Sequence, residues 1–405
     1  MKRSIALLTV AAAAILLAST LSAPIAFAQD DYQVIVPLSS MEAPGDLGLY
    51  AHTNYVIVIP RHVEILPSGA PVAENPASMA CIYNAVKQTK GCPKVSKVLP
   101  SGGTKAIAIV DAFDNPDAVS DLKAYATAYG YKQKPKFKVV KVGNPQPNAN
   151  WSVEESLDIE MAFGMAPNAQ IYLVEANSNN NADLYAAEDV ATKLVQKAGG
   201  GEITNSWSGS EYGNEKSDDS HFKGKGVVYF ASSGDAGGVV GYPSTSPYVI
   251  SAGGTQIVRD GNGNFLYEEG WSSAGGGPST VEPRPKYQDV VKKIVGSHRG
   301  TPDFSGNASP ASAVALYNLY ACRGWCETGG TSVTSPFMAG FVNAAGQFNA
   351  STNAELTEAY KEYGNAKQYK TYWTDVVKGN AGRYSCGKGY EFCTGIGSPL
   401  TLKGK

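Results

Sequence analysis

Ser332 stands in Gly329-Gly330-Thr331-Ser332-Val333-Thr334-Ser335-Pro336, ahead of a small and apolar run, Phe337 to Phe348, that predicts a buried helix. Glycines allow a tight bend before a helix, and the helix N-terminus leaves N–H groups free to face negative charge. A serine held there suits nucleophilic attack. Serine is equally a favoured helix cap, and the octet alone does not separate the two readings.

A serine nucleophile needs a base, and histidine is the usual one. Of the four histidines, His52 and His62 lie in the N-terminal stretch and His221 and His298 in polar, loop-like surroundings, so all four read as surface residues. Acids fit better. In Trp151-Ser152-Val153-Glu154-Glu155-Ser156-Leu157-Asp158, the residues Glu154 and Asp158 are four apart and share one helical face. Two such carboxylates split their titration and share a proton, which suits a base and its orienting partner in acid. A solvated acidic first turn is the plain alternative, and Glu155 an alternative to Glu154. In Ala231-Ser232-Ser233-Gly234-Asp235-Ala236-Gly237, Asp235 follows the most apolar strand-like run, where a protonated carboxyl donates well to a developing oxyanion. An aspartate in a Gly-rich turn is the ordinary reading. Asp111 ends an earlier strand-like run and is either a turn residue or the outer member of a carboxylate chain.

The elements that must position these residues alternate. Strands are expected near 105–111, 136–142, 170–175, 202–206 and 226–232, with helices at 115–129, 152–164 and 182–197 between them. That order predicts an α/β fold with a mainly parallel sheet covered on both faces, and ligands beyond the carboxyl ends of its strands. From Ser233 to about Gly300 the chain is rich in Gly, Ser and Pro and reads as long loops, with a short strand near 248–252; another is expected at 313–317 before the Ser332 helix.

Together, Glu154-x-x-x-Asp158, Ser233-Gly234-Asp235-x-Gly237 and Gly330-Thr331-Ser332-x-x-x-Pro336, in that order, resemble the sedolisins, serine-carboxyl peptidases with a subtilisin-like fold. The resemblance runs from about Ala77 to Pro399. It implies that Ser332 attacks a peptide carbonyl, Glu154 takes and returns the proton, Asp158 orients Glu154 and Asp235 stabilises the oxyanion. It also implies that Asp111 extends the carboxylate network, with Trp207 beside it, and that Ser206 and Trp207 border the substrate. With ordinary pKa values near 6.5 for His, 4.3 for Glu and 3.9 for Asp, a glutamate base works where a histidine is protonated. An endopeptidase most active in acid is therefore expected, acting on proteins or peptides as a monomer.

The resemblance extends to a calcium loop with Asp375, the carbonyls of Val376, Gly387 and Gly389, and Glu391 as oxygen ligands. Family members usually have Asp where this chain has Glu391, and Cys386 and Cys393 bracket the loop, so a disulfide is an alternative restraint. Asn307 stands where the family often has an acid. Sedolisins typically carry a large N-terminal prodomain, for which residues 29–80 are too few; a reduced pro-segment or a different maturation is expected there.

The chain opens with Lys2 and Arg3, an apolar run from Ile5 to Leu21 and then Ala26-Phe27-Ala28, the three-part pattern of a secretory signal cut after Ala28. The expected organisation is a signal over 1–28, an N-terminal extension over 29–80 and a peptidase domain over 81–405, exported to the periplasm or outside the cell. Six cysteines fall into three local pairs, 81 with 92, 322 with 326 and 386 with 393, which suits disulfides in an oxidising compartment, though six cysteines allow 15 connectivities. A zinc site lacks nearby histidines. A formal net charge of −2 with 17% charged residues gives no footprint for nucleic acid or an anionic membrane. No Gly-x-x-x-x-Gly-Lys-Ser/Thr or His-Glu-x-x-His occurs. Two rival functions are an exported pseudo-peptidase that binds peptides without cutting them, and a histidine-based subtilisin-type protease, for which no His-Gly-Thr motif exists.

Overall fold

The structure, a computed structural model, describes residues 26–28, 31–96 and 98–403; of the signal expected over 1–28, residues 1–25 lie outside the described residues. Its centre is an eight-stranded sheet. Seven strands run in the order Phe265–Gly270, Ile250–Arg259, Val227–Ser232, Gly201–Asn205, Ala106–Ala112, Gln170–Ala176, Lys136–Lys141, and Phe304–Asn307 pairs with Ile250–Arg259. All pairings are parallel except that of Phe265–Gly270. The helices Ala118–Tyr129, Ala149–Met165 and Asn181–Lys197 connect the strands as expected.

The period of two along Ala106–Ala112 sorts the two faces. Ile107 and Ile109 join one core with Val153 and Leu157 of the helix Ala149–Met165 and Phe337 and Phe341 of the helix Thr331–Ala345. Ala106, Ala108 and Val110 join the other with Leu184, Ala191 and Val195 of Asn181–Lys197. Asp111 falls in the register of Ile107 and Ile109, on the side of the two site-bearing helices. Those helices approach closely at Gly340, where an added Cβ would lie 2.9 Å from both the Ala162 carbonyl oxygen and the Met165 Cβ.

The N-terminal stretch holds more structure than the single strand expected near 55–60. Tyr32–Ile35 and Val56–Pro60 join Gly324–Gly329 and Val314–Asn318 in an antiparallel sheet, with Ala26–Ala28 at its edge. His52–Thr53 pairs antiparallel with Trp207–Ser210. The N-terminal strands among these are two to five residues long and exist by pairing with distant segments, a contact that local periodicity does not record. The disulfides join Cys81 to Cys92, Cys322 to Cys326 and Cys386 to Cys393. Among the described residues no helix is long and apolar enough to cross a membrane.

Candidate active site

Ser332 is the second residue of the helix Thr331–Ala345, whose N-cap is Gly330. Gly330 has φ of +122°, and a Cβ there would lie 2.2 Å from the Asn54 carbonyl oxygen and 2.6 Å from Asp235 Oδ2. Only glycine suits that backbone and that crowding. Ser332 is fully buried, and its hydroxyl donates to the Ser206 carbonyl at 3.3 Å.

The helix Ala149–Met165 begins at Asn148, whose side chain accepts from the N–H groups of Asn150 and Trp151. It carries Glu154 and Asp158 inward, both fully buried. The solvated acidic turn is thus not what forms. Asp158 Oδ1 accepts from the Ser206 hydroxyl at 2.8 Å, and Glu154 Oε2 accepts from the Asn54 N–H at 3.3 Å. Burial first, then the charges of Asp158 and Asp111, push Glu154 well above the usual carboxyl range, while the nearby Ser332 hydroxyl acts the other way. Asp158 is also raised, chiefly by burial, with Ser206 and Glu154 both favouring its ionised form. Asp111 is raised by burial and by the charges of Asp158 and Glu175. Three buried carboxyls are thus raised together, first by burial, and two of them also by the charge of their neighbours.

Asp235 lies beyond the end of the Val227–Ser232 strand. Its Oδ1 accepts from both the N–H and the hydroxyl of Thr331 at 2.8 Å, leaving Oδ2 beside Gly330 without a partner among the described residues. Burial pushes its pKa up to about 7, against the pull of the Thr331 hydrogen bonds. A carboxyl that is protonated below neutrality and presents one free oxygen is a usable donor.

Ser206 touches the cluster directly. Trp207 does so only at one remove, because its indole Nε1 donates to the Val110 carbonyl at 2.8 Å next to Asp111. Asn307 faces away: its amide bonds the Ser312 carbonyl and hydroxyl, at 2.8 and 2.5 Å. His52 is not a surface residue as expected; it lines the cleft, with Nε2 3.2 Å from the Asp46 carboxylate. Glu155, the alternative to Glu154, is buried with neither oxygen partnered among the described residues; it is raised by burial and by Glu175, and lies with Asp114 and Lys141 in a second acidic group. One feature carried no sequence signal. Asn54 crosses the site itself, 278 residues before Ser332.

In the loop read as a calcium site, both carboxylates accept hydrogen bonds from nearby groups. The Asp375 carboxylate accepts from the Gly389 N–H at 3.0 and 3.2 Å and from the Tyr369 hydroxyl at 3.0 Å. Glu391 accepts from the N–H groups of Cys393 and Thr394 and from the Thr394 hydroxyl, at 2.7 to 3.2 Å. Both carboxylates are engaged by local donors, and they lie close enough for the charge of Asp375 to raise Glu391. Cys386 and Cys393 lie beside Glu391 but are joined to each other. The disulfide closes the loop that an ion was expected to hold.

No family model matches the chain. Among curated proteins it is similar to kumamolisin of Bacillus sp. (strain MN-32), with 30% identity over 286 residues, 62% of this chain and 50% of the relative. It is similar to sedolisin of Pseudomonas sp. (strain 101), with 23% identity over 82% of this chain and 61% of the relative. Xanthomonalisin of Xanthomonas sp. (strain T-22) is 24% identical over 91% of this chain and 50% of the relative. The chain spans about half the length of the first and third of these. Among solved structures, Pseudomonas sedolisin, a serine-carboxyl proteinase complexed with two molecules of pseudo-iodotyrostatin, superposes with a TM-score of 0.69 at 23% identity, over 82% of this chain and 96% of that one. The sedolisin resemblance read from three motifs is thus met across most of the chain, and the fold is the subtilisin-like one expected.

Proposed function

We infer that this chain, a relative of the sedolisins, is an exported serine-carboxyl endopeptidase that hydrolyses peptide bonds of proteins in acid. One observation carries the reading: two carboxyls of one helix, Glu154 and Asp158, are buried beside a serine at the start of another, with a raised aspartate across the same glycine turn. Burying acids without cations costs free energy, and here the buried pair stands beside a serine at a helix start.

In this mechanism Ser332 Oγ attacks the substrate carbonyl carbon as Glu154 takes its proton. Asp158, fixed by the Ser206 hydroxyl, orients Glu154 and spreads the charge. The developing oxyanion is met by the Ser332 N–H and by protonated Asp235. Glu154 then protonates the leaving amine, and water repeats the sequence on the acyl-enzyme. Asp111 sets how many protons the cluster holds.

The deciding experiment compares wild type with Ser332→Ala on denatured protein at acidic and neutral pH. Cleavage by the wild type alone, strongest in acid, supports the reading. Equal cleavage by both refutes it, and cleavage by neither refutes it and leaves the non-cutting peptide binder.

A further inference from the structure

The chain supplies its own occupant for the cleft. Residues 52–55 cross it in extended form, with His52 opposite Ser208 and Thr53 opposite Trp207 in antiparallel register. The next residue is held at three points: Asn54 N–H donates to the Ser206 carbonyl at 3.3 Å and to Glu154 Oε2, and the Ser332 N–H donates to the Asn54 carbonyl at 3.1 Å. That same carbonyl oxygen lies against Gly330 beside Asp235 Oδ2. The Asn54–Tyr55 peptide therefore stands where a bond to be cut would stand.

Its side chain shows what the site recognises. Asn54 is 6% exposed, and its carboxamide donates to the Ser232 hydroxyl at 2.7 Å and to the Ser208 hydroxyl at 3.0 Å, while its Oδ1 accepts from Ser208 at 3.2 Å. Ser232 ends a central strand and Ser208 lies on the strand that pairs with the occupant, so both hydroxyls are set by the frame. A buried site that hydrogen-bonds an amide discriminates against an apolar side chain of the same size, because the hydroxyls are then left unpaired.

We propose that Ser208 and Ser232 form a specificity pocket for asparagine on the acyl side of the cut bond, and that Asn54–Tyr55 is the chain's own first substrate. The inference rests on the peptidase reading above. In the step, the Ser332 Oγ to Asn54 carbon bond forms, the carbon to Tyr55 nitrogen bond breaks, and the serine proton passes through Glu154 to the Tyr55 amine. Water then releases the Asn54 carboxylate and restores Ser332. The Val56–Pro60 strand stays paired between Tyr32–Ile35 and Gly324–Gly329, so the new N-terminus remains anchored.

The test incubates the full chain, as wild type and as Ser332→Ala, with denatured serum albumin in acid and maps all new termini by mass spectrometry. The wild type alone is expected to gain an N-terminus at Tyr55. Albumin fragments are expected to end in Asn about tenfold or more above Leu. In Ser232→Ala, and independently in Ser208→Ala, the Asn-over-Leu ratio of kcat/KM on matched peptides falls by roughly tenfold. Albumin cut without Asn enrichment, with Asn54–Tyr55 intact, overturns this inference and leaves the peptidase reading standing. Absence of any cleavage, or equal cleavage by Ser332→Ala, overturns both.

Discussion

Asp235 spends one carboxylate oxygen on the N–H and hydroxyl of Thr331, both at 2.8 Å, and keeps the other beside Gly330. An acceptor role is thereby fixed on Oδ1, and Oδ2 is the atom free to carry a proton. Because burial raises this pKa to about 7, the donor is present below that pH and lost above it. Asparagine has the same shape, with an oxygen for Thr331 and an NH2 that donates at every pH. Asp235→Asn should therefore keep activity above neutrality, where the wild type loses it. Asp235→Ala, which has no donor, should lose about 10²–10³ in kcat at all pH values. The measurement is kcat/KM against pH for the three proteins; an alkaline limb that does not move in Asp235→Asn would remove the oxyanion role.

Glu154 is acted on by three carboxyl neighbours, with Asp158, Asp111 and Asp235 all raising its pKa after burial does. Glutamine at this position holds the same volume and still meets Ser332, but receives no proton. Glu154→Gln should lower kcat by roughly 10²–10⁴ with KM changed little, since substrate alignment depends on Ser206, Trp207 and the Ser332 backbone. Steady-state kinetics with a peptide carrying Asn before the cut bond reads this split. Activity within about threefold of wild type would return the base to some other group.

What was legible in the sequence was local. The pair Glu154 and Asp158 is fixed by a four-residue spacing, and the helix Thr331–Ala345 by its glycine turn and apolar run. Their burial was not legible. Ala149–Met165 is packed by the sheet, by Thr331–Ala345, by Pro76–Ile82 and by Val314–Asn318, so its polar residues mark no solvent side. Glu160, for instance, is buried and accepts from the Tyr317 N–H at 2.9 Å. Asn54 was invisible because its significance comes from partners 100 to 278 residues away. At the loop near Asp375 the residue types that suit calcium are legible, while the direction each carboxylate faces is set by the turns around it.

That loop gives a prediction by elimination. With Asp375 and Glu391 accepting backbone N–H groups and the Cys386–Cys393 bridge closing the loop, the fold is expected to stand without an ion. The melting temperature and the acid activity of chelator-treated protein should equal those of untreated protein. Cys393→Ser, which opens the Cys386–Cys393 bridge, should instead destabilise by about 2 kcal/mol on the chain-entropy argument for so short a loop. Metal analysis beside calorimetry checks both halves. A bound calcium ion whose removal lowers the melting temperature would show that the carboxylates re-aim to hold it.

The same burial that readies the site makes the whole fold acid-tolerant. Beside Asp235 at about 7, Asp121 is pushed up to about 7 and Glu175 and Glu215 to about 8, in each case first by burial. A carboxyl whose pKa is raised on folding binds its proton more tightly in the native state. Its stabilising contribution is full below the ordinary carboxyl range near 4 and is lost as pH rises through the raised value. The window is therefore the span from about 4 to about 8. Ser332→Ala, which does not digest itself, should melt several degrees higher at roughly pH 5 than at roughly pH 8. Back-mutation of one member separates this from a general charge effect: Glu175→Gln stays neutral at all pH values and should flatten part of the slope. A melting temperature that climbs from pH 5 to 8 would mean that these acids are ionised in the native protein, and with them the argument for a protonated Asp235 would fall.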